Sequence, residues 1–508
     1  MSKALVITLL AFIYSTLLFG QKPSEADELF AKGNFEAASA MYQEQLDSAY
    51  NGSVAYKLAV CYLNTFFDKT RAVPILEKLK TDAHPDPNTL YMLGRAYHFS
   101  GEYEKAIQVY SEFIKTEKGT PDNLEDAGKE IEYCENAREY VKYPVNVEIK
   151  NIGQKVNSLS SDYFPFVSGD ESFILFNSKR NDGSFFRTDG SFHSNIYMSK
   201  VENGEFQRSE LLPGKINDPM VSEEIVGMTQ KGDKALVYID DEQKKTELRL
   251  LLIENGQVTK SEKLPKQINS RFHEIAACLN GDGTEIYFAS DRPGGYGGID
   301  IYVIRKLGNG KWGNPQNLGP AVNTAYDEDF PNIAHDGKSL YFSSKGHASM
   351  GGYDIFVAQW DEEKVRFMRA RNLGYPINTA GDDMNFRVSQ SGRYGYISYA
   401  IGQGLGDWDI YRVTFLDVEP EVTVINGKLK LPEDFSWKSI AITVLNDGGD
   451  TIGEYLPNLN TLRYVMALTP GKYHLHVDVA GLEKYKEVIY VMDKVSYQPL
   501  IEKDIELK

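Results

Sequence analysis

An Asp-Ile-aromatic segment recurs at a fixed spacing in the middle of this 508-residue chain, and it constrains the fold more than any other feature. Asp300, Asp354 and Asp409 open three copies, 54 and 55 residues apart, and each follows a Gly-bearing turn. The copies read SDRPGGYGGIDIYV (290–303), SSKGHASMGGYDIFV (343–357) and SYAIGQGLGDWDIYR (398–412). A phosphate-binding loop needs a helix after its glycines, whereas a strand-like segment follows here. The pattern therefore indicates a repeated turn and not a nucleotide site.

Two weaker copies extend the repeat towards the amino terminus. Asn195 starts a degenerate copy within 177–198, and ELRLLLI (247–253) stands where the next copy falls. Each unit also holds an acidic cluster, an apolar strand, a Gly-containing turn and a second apolar strand, which makes four strands in a unit. Repetition of this kind over residues 143–417 predicts a β-propeller with five blades or, alternatively, six.

The sequence also predicts how the ring closes. NLGPAVNT (317–324) and NLGYPINT (372–379) end the outer strands of two units, and VEIKNIGQKVNS (147–158) supplies the same element before the first unit. We therefore expect the first strand of the region to complete the last blade, which leaves no open sheet edge.

These units resemble the Pro-Asp propeller repeats (PD40, WD40-like) of TolB-type periplasmic proteins. The resemblance implies that the glycines at 294–298 allow positive φ angles in a turn and that Asp300, Asp354 and Asp409 accept hydrogen bonds that lock adjacent strands. The recurring acidic clusters favour a role in the fold, such as capping strand ends. A cation site is the alternative, because carboxylates are ligands of Ca²⁺.

Residues 21–142 have helical periodicity with a 34-residue repeat. Ala38, Ala72 and Ala106 recur at this interval, which is typical of tetratricopeptide repeats, and a capping helix is expected from about 123 to 141. Stacked repeats present a concave groove that binds peptides or tails of partner proteins. The register of the repeat predicts the partner-contacting residues Asn88, Tyr91, Arg95, His98 and Phe99. For Tyr91 and Phe99, packing inside the stack is an equal alternative.

The chain begins with Met1-Ser2-Lys3, and an apolar segment follows from Ala4 to Phe19. This arrangement predicts a cleaved signal peptide over 1–20. An uncleaved anchor is the alternative. The net charge of −17 argues against a nucleic-acid partner. The chain contains three cysteines. We expect Cys61 and Cys134 to be buried thiols, with a disulfide between them as the alternative.

Residues 418–508 read as a third, β-rich module that resembles the carboxypeptidase regulatory-like domain, a small β-sandwich, most clearly at TPGKY. His474 and His476 share a strand face there, but no further metal ligands are spaced to join them. Hydrolase and zinc-protease motifs are absent from the sequence, and no cofactor is expected. The prediction is a multidomain, non-enzymatic chain: all-α repeats, a central propeller and a carboxy-terminal β-sandwich.

In module order, the chain resembles periplasmic OmpA-family proteins, and within them the PorE-like family of type IX secretion and gliding machinery. The resemblance implies a periplasmic scaffold, peripheral to the outer membrane, that binds envelope proteins through the groove and a propeller face. The alternative is a module that recognises a glycan or a peptidoglycan fragment. The family's OmpA-type peptidoglycan-binding domain would begin at Lys508, so direct cell-wall anchoring is not carried over. Either this is a shorter relative or that domain has been removed.

Overall fold

The computed structural model describes residues 24–508 apart from twelve short gaps. The gaps are 66–67, 170, 188, 203–204, 243–245, 390–391, 393, 401–403, 417–421, 433–438, 470 and 492–499. The predicted signal peptide, 1–20, lies outside the described residues.

Among the described residues, seven α-helices make up the amino-terminal part. They are α1 Glu25–Ala31, α2 Phe35–Ser48, α3 Gly52–Asn64, α4 Ala72–Lys80, α5 Thr89–Phe99, α6 Tyr103–Thr116 and α7 Pro121–Tyr140, with a 3₁₀ turn at Lys69–Arg71 before α4. The predicted small positions, Ala38, Ala72 and Ala106, are fully buried in the common core. At Gly94 an added Cβ would overlap the ring of Tyr110, so a glycine is required where α5 and α6 cross.

The next part of the chain forms five antiparallel sheets. Their strands are β1 Val147–Asn151, β2 Asp162–Val167, β3 Phe173–Ser178, β4 Asn195–Glu202, β5 Glu205–Phe206, β6 Glu210–Leu211, β7 Ser222–Met228, β8 Lys234–Asp240, β9 Glu247–Glu254, β10 Gln257–Lys263, β11 Ala277–Leu279, β12 Glu285–Ser290, β13 Asp300–Arg305, β14 Gln316–Asn317, β15 Glu328–Ile333, β16 Ser339–Ser344, β17 Asp354–Asp361, β18 Arg366–Phe367, β19 Arg371–Asn372, β20 Met384–Val388, β21 Tyr394–Tyr399 and β22 Asp409–Phe415. The orders are β2-β3-β4-β5, β7-β8-β9-β10, β11-β12-β13-β14, β15-β16-β17-β18 and β20-β21-β22-β1, with β6 on β4 and β19 on β17.

The sheets follow one another around a ring. Each first strand contacts the first strand of the next sheet, in the order β2, β7, β11, β15, β20 and back to β2. Strand β1 pairs with β22, with Val147 opposite Phe415 and Asn151 opposite Tyr411. The predicted closure by the first strand of the region is therefore confirmed. Closure thus joins the beginning and the end of the region in one sheet, whose outer strand is β1.

The carboxy-terminal part consists of two further sheets around one core. Its strands are β23 Thr423–Lys430, β24 Ile440–Asn446, β25 Thr451–Tyr455, β26 Arg463–Leu468, β27 Gly471–Val479, β28 Tyr485–Val491, β29 Leu500–Glu502 and β30 Ile505–Glu506. One sheet has the order β25-β24-β27-β28, and the other joins β26, β29 and β30 to β23. Ile425 and Leu429 of β23 share a buried core with Ile442 and Leu475 of the facing sheet.

All three cysteines are buried and free, so the alternative disulfide between Cys61 and Cys134 is not formed. Burial raises the pKa of the Cys61 thiol to about 12 and that of the Cys278 thiol to about 11. These thiols are therefore protonated and poorly reactive at neutral pH. Within the described part of the chain, no helix is both long and apolar enough to cross a membrane.

Candidate functional site at the junction of helices and ring

In each of the three Gly-bearing turns, the aspartate that follows accepts hydrogen bonds from the main chain of the turn. The Asp300 carboxylate accepts hydrogen bonds from the main-chain N–H of Tyr296 at 2.6 Å and of Gly297 at 3.0 Å. It also accepts from the side-chain amide of Asn317 in the fourth strand, at 2.6 Å. Asn317 in turn accepts from the amide of Asn323. The aspartate therefore ties its turn to the outer strand of the same sheet, which confirms the predicted locking role.

The same set of contacts recurs in the later sheets. The Asp354 carboxylate accepts hydrogen bonds from the main-chain N–H groups of Met350 and Gly351 and from the side-chain amide of Asn372. The Asp409 carboxylate accepts in the same way from Leu405, Gly406 and Asn151. The last of these partners lies on β1, so the closing strand supplies the asparagine that the fifth unit lacks. A further asparagine acts in each of the five sheets described. Its side-chain oxygen accepts a hydrogen bond from the main-chain N–H of the second residue of the third strand. The pairs are Ile196–Asn217, Leu248–Asn269, Ile301–Asn323, Ile355–Asn378 and Ile410–Asn157.

The glycines of these turns serve mainly to allow close approach between neighbouring sheets. Of the glycines at 294–298, only Gly294 has a positive φ, 93°. A Cβ on Gly297 would overlap the carbonyl oxygen of Tyr326, and one on Gly351 would lie 2.5 Å from that of Thr379. The predicted backbone role is thus correct for Gly294, whereas Gly297 is glycine because main-chain atoms before the next sheet leave no room. A Cβ on Gly295 or Gly298 would instead overlap the carboxylate of Asp300 or Asp327.

The recurring acidic clusters fix the turn before each first strand. Glu328 accepts hydrogen bonds from the N–H and hydroxyl of Thr324, both at 2.7 Å. Asp383 does the same for Thr379. Burial raises the pKa of Glu328 to about 7. These contacts support the predicted role in the fold. Among the described residues, no group of three or more His, Cys, Asp and Glu side chains is placed to hold a metal ion.

The five residues predicted to contact a partner do not form a free groove. Asn88 is buried and accepts hydrogen bonds from Thr120 and Asn123 at the start of α7. Tyr91 is buried against Tyr110 inside the stack. For these two side chains the prediction is corrected: the stack itself uses them, because α5 is covered by the helices that follow it. For Tyr91, this is the packing alternative.

The His98 side chain is also unavailable to a separate partner, because it contacts a main-chain carbonyl of the ring. Its side chain is only 3% exposed, and Nε2 lies 2.9 Å from the carbonyl oxygen of Met350. On the other side, Nδ1 lies 3.5 Å from the Glu130 carboxylate. Arg95 and Phe99 remain partly buried beside the 3₁₀ turn, with Lys69 Nζ 4.1 Å from the centre of the Phe99 ring. For Arg95 and Phe99, contact with a separate partner stays a prediction.

The turn between the second and third strands of the fourth sheet packs against α5 and α7. This turn, residues 345–353, is one of the three Gly-bearing copies. Tyr133 donates its hydroxyl to the carbonyl of Lys345 at 2.6 Å, and Asn136 donates its amide to that of Ser349 at 2.8 Å. Met350 is fully buried against Ala137 and Tyr140 of α7. The place where a peptide is expected to lie is thus filled by the chain's own turn.

A buried polar network supports this contact. Tyr110 donates its hydroxyl to Glu130 at 3.1 Å, on the carboxylate that faces His98. Burial alone would raise the pKa of Glu130, but the contact with His98 and the charge of Arg95 outweigh it and hold the pKa below its usual range. The carboxylate therefore stays charged and positions the imidazole against the turn.

Helix α7 also contacts the carboxy-terminal part. Asn458 donates its amide to the Glu135 carboxylate at 3.1 Å, and Val424 packs beside Met350 at the point where the three parts meet. Burial raises the pKa of Glu135 to about 7, although its bond with Asn458 and the charge of Arg138 oppose the shift.

The residues that matter most at this junction, Tyr133, Asn136 and Met350, were not predicted as site residues. Asn136 is a buried polar side chain in a helix that was expected only to cap the stack. In the sequence, the signal for this contact was Asn136 itself, a polar residue among the apolar positions of the expected capping helix. A buried polar side chain needs a hydrogen-bond partner, so Asn136 indicated a contact with another part of the chain.

Comparison with known proteins agrees with the helical repeats. The model of the tetratricopeptide repeat family matches residues 88–118, while no curated protein matches the chain. Among solved structures, the chain is similar to TolB from Acinetobacter baumannii, at 15% identity and a TM-score of 0.31, over 50% of this chain and 54% of that one. It is also similar to an endo-arabinase from Bacteroides thetaiotaomicron, at 13% identity and a TM-score of 0.33, over 55% of this chain and 98% of that one.

The chain spans 54% of the length of the Acinetobacter TolB. It combines a helical region, in which the tetratricopeptide repeat model matches residues 88–118, with a large β-rich region of curled sheets. Tetratricopeptide repeats generally mediate contacts between proteins.

Proposed function

We propose that this protein is a non-enzymatic scaffold of the periplasm that binds envelope proteins in an outer-membrane-associated complex, of the type IX secretion or gliding kind. The proposal includes a cleaved signal peptide over 1–20, repeats over 21–142, a closed five-bladed propeller over 143–417 and a regulatory-like β-sandwich over 418–508. Peptidoglycan is reached only through partners.

One observation carries the proposal: α7, which belongs to the helical part, makes buried or partly buried polar bonds with both other parts. Tyr133 and Asn136 bond the ring, and Glu135 bonds the carboxy-terminal part. Buried polar bonds cost free energy when they are misaligned, so they fix one relative arrangement of the parts. A scaffold needs such an arrangement, because it must hold several partner surfaces at set distances.

Partners cannot bind where the turn 345–353 contacts the helices, so another part of the helical surface must serve them. Arg95 and Phe99 lie at the border of this contact, beside Lys69. Burial and the charge of Arg95 lower the pKa of Lys69 to about 8. Two cationic side chains around an aromatic ring suit a partner segment that offers a carboxylate and an apolar side chain.

Co-purification tests the proposal. The full chain with an affinity tag is isolated from crosslinked envelope fractions of its source cells, and bound proteins are identified by mass spectrometry. A reproducible set of envelope proteins is expected. The double variant Tyr133→Phe and Asn136→Ala should lose part of that set because its parts are no longer held together. Tyr296→Phe, an exposed side chain, is the matched control.

Two results count against the proposal. One is retention on isolated peptidoglycan with no protein partner, which favours the glycan-recognition alternative. The other is recovery of the protein from the cytoplasmic fraction.

A further inference from the structure

The ring has a second polar site, at the mouth of its channel on the face away from the helices. The helices contact the turns between second and third strands, such as 345–353. The turns between first and second strands therefore lie at the opposite end of the strands. A cavity of about 40 Å³ opens among them, and its lining includes Phe166, Ser168, Asn332 and Arg387.

Two aromatic side chains meet across the ring, each two residues before a lining residue of this cavity. Phe164 and Phe330 come from different, non-neighbouring sheets, and their ring centres lie 4.8 Å apart. Asn385 of β20 occupies the position equivalent to both, with a positive φ like theirs. Its side chain is 1% exposed, and neither of its amide atoms has a hydrogen-bond partner among the described residues.

Arg387, two residues further along β20, is a buried cation that lines the cavity. It is 4% exposed, and its guanidinium stacks 4.2 Å from the ring centre of Phe166. Nη2 donates to the carbonyl of Val226 at 3.1 Å and Nη1 to that of Pro331 at 3.4 Å. Nε has no partner, and no carboxylate of the described residues pairs with this arginine.

The charge of this group needs an explanation. Burial lowers the pKa of Arg387 to about 9, so the guanidinium is still protonated at neutral pH. Two carbonyl oxygens and an aromatic face neutralise a buried cation only in part, and an uncompensated buried charge is costly.

We propose that this cavity binds the carboxylate group of a small ligand, with Arg387 as its principal contact. The free Nε–H and a second N–H on the same edge of the guanidinium form the fork that takes a carboxylate through two hydrogen bonds. A water molecule needs about 10–15 Å³ by the same measure of volume, so the cavity has room for a carboxylate head but not for a sugar ring. The carboxylate belongs either to a free small acid or to the end of a peptide chain.

Titration of the full-length protein tests the site. The probes are ¹³C-labelled acetate, a tripeptide with a free carboxyl terminus and the same tripeptide as its amide, each followed by NMR at an ionic strength held constant with sodium chloride. Saturable binding of acetate and of the free-carboxylate tripeptide is expected, with none for the amide. Equal affinities assign the site to small acids, and a tighter tripeptide assigns it to chain ends.

Variants locate the binding. Arg387→Lys keeps the charge but loses the fork, and should weaken binding at least tenfold. Gly281 also lines the cavity, and a Cβ there meets no other atom within 4 Å. Gly281→Phe keeps Arg387 in the chain but adds a ring at the cavity, and should weaken binding. Arg366→Gln, on an exposed strand residue, is the matched control and should bind as the parent does. Failure of both carboxylate probes to saturate, or unchanged affinity in folded Arg387→Lys, would overturn the proposal.

Discussion

The Nε2 atom of His98 in α5 lies 2.9 Å from the main-chain oxygen of Met350, in the turn between β16 and β17. The two residues are 252 positions apart in the chain, and each is buried by the other's module. His98 was expected to contact a peptide of a partner protein, and it contacts a turn of its own chain instead.

Removing the His98 side chain should loosen this junction. His98→Ala takes away the contact with Met350 and leaves Glu130 without its facing imidazole, so the free energy of unfolding should fall by about 2 kcal/mol. Urea denaturation measures the loss, and limited proteolysis should show faster cleavage between helices and ring. His84→Ala, on an exposed loop, is the matched control. An unchanged proteolysis pattern in the His98 variant would contradict this account of the junction.

The turn that fills the groove also has a strict requirement for glycine. In Gly351→Ala the new Cβ would lie 2.5 Å from the oxygen of Thr379 and 2.6 Å from that of Gly381. Since both are main-chain atoms of the next sheet, the sheets must separate, at a cost of about 1–3 kcal/mol. Gly308→Ala meets nothing within 4 Å and should change stability little. Thermal unfolding of the two variants compares them directly, and equal melting temperatures would exclude close approach as the reason for the glycine.

Contacts within the repeated unit could be predicted from the sequence, whereas contacts between the parts of the chain could not. Asp300 sits at a fixed place in the unit, and the resemblance to Pro-Asp propeller repeats implied that it locks adjacent strands. The bond between Tyr133 and Lys345 spans 212 residues and occurs once, so no periodicity signals it. Four of the five predicted groove residues lie on α5 and Asn88 directly precedes it, but their exposure depended on what packs against this helix. That is a property of the assembled parts and not of the repeat.

Glu135 makes the contact between α7 and the carboxy-terminal part sensitive to pH. Burial raises the pKa of its carboxyl from 4.5 to about 7, so the folded state holds the proton more tightly than the unfolded chain does. The resulting stabilisation is complete below about pH 4.5 and is lost as the pH rises through about 7. We expect the free energy of unfolding to fall by on the order of 1–2 kcal/mol between pH 5.5 and 8 from this group.

Glu135→Gln isolates that contribution. The variant keeps an acceptor for Asn458 but cannot ionise, so its unfolding free energy should depend less steeply on pH than that of the parent. Glu328, Asp329 and Asp354 also have pKa values raised by burial to about 7, and they leave a residual slope of the same sign. Glu363→Gln, an exposed side chain, should follow the parent curve. A parent-like slope in Glu135→Gln would mean that the contact is not pH-sensitive.

Ring closure should depend on Asn151 more than on any other polar side chain of β1. Its amide donates to Asp409 at 2.8 Å, and its carbonyl accepts from the N–H of Gly153 and the amide of Asn157, both at 2.8 Å. Asn151→Ala removes all three bonds and leaves a buried aspartate with fewer donors, so the free energy of unfolding should fall by about 2–4 kcal/mol. Asn309→Ala, on an exposed turn, should lie within about 0.5 kcal/mol of the parent. Hydrogen exchange distinguishes local from global effects: because β1 closes the ring, amides of β1 and β22 should lose protection first. If they keep it while the helices lose theirs, closure does not rest on this asparagine.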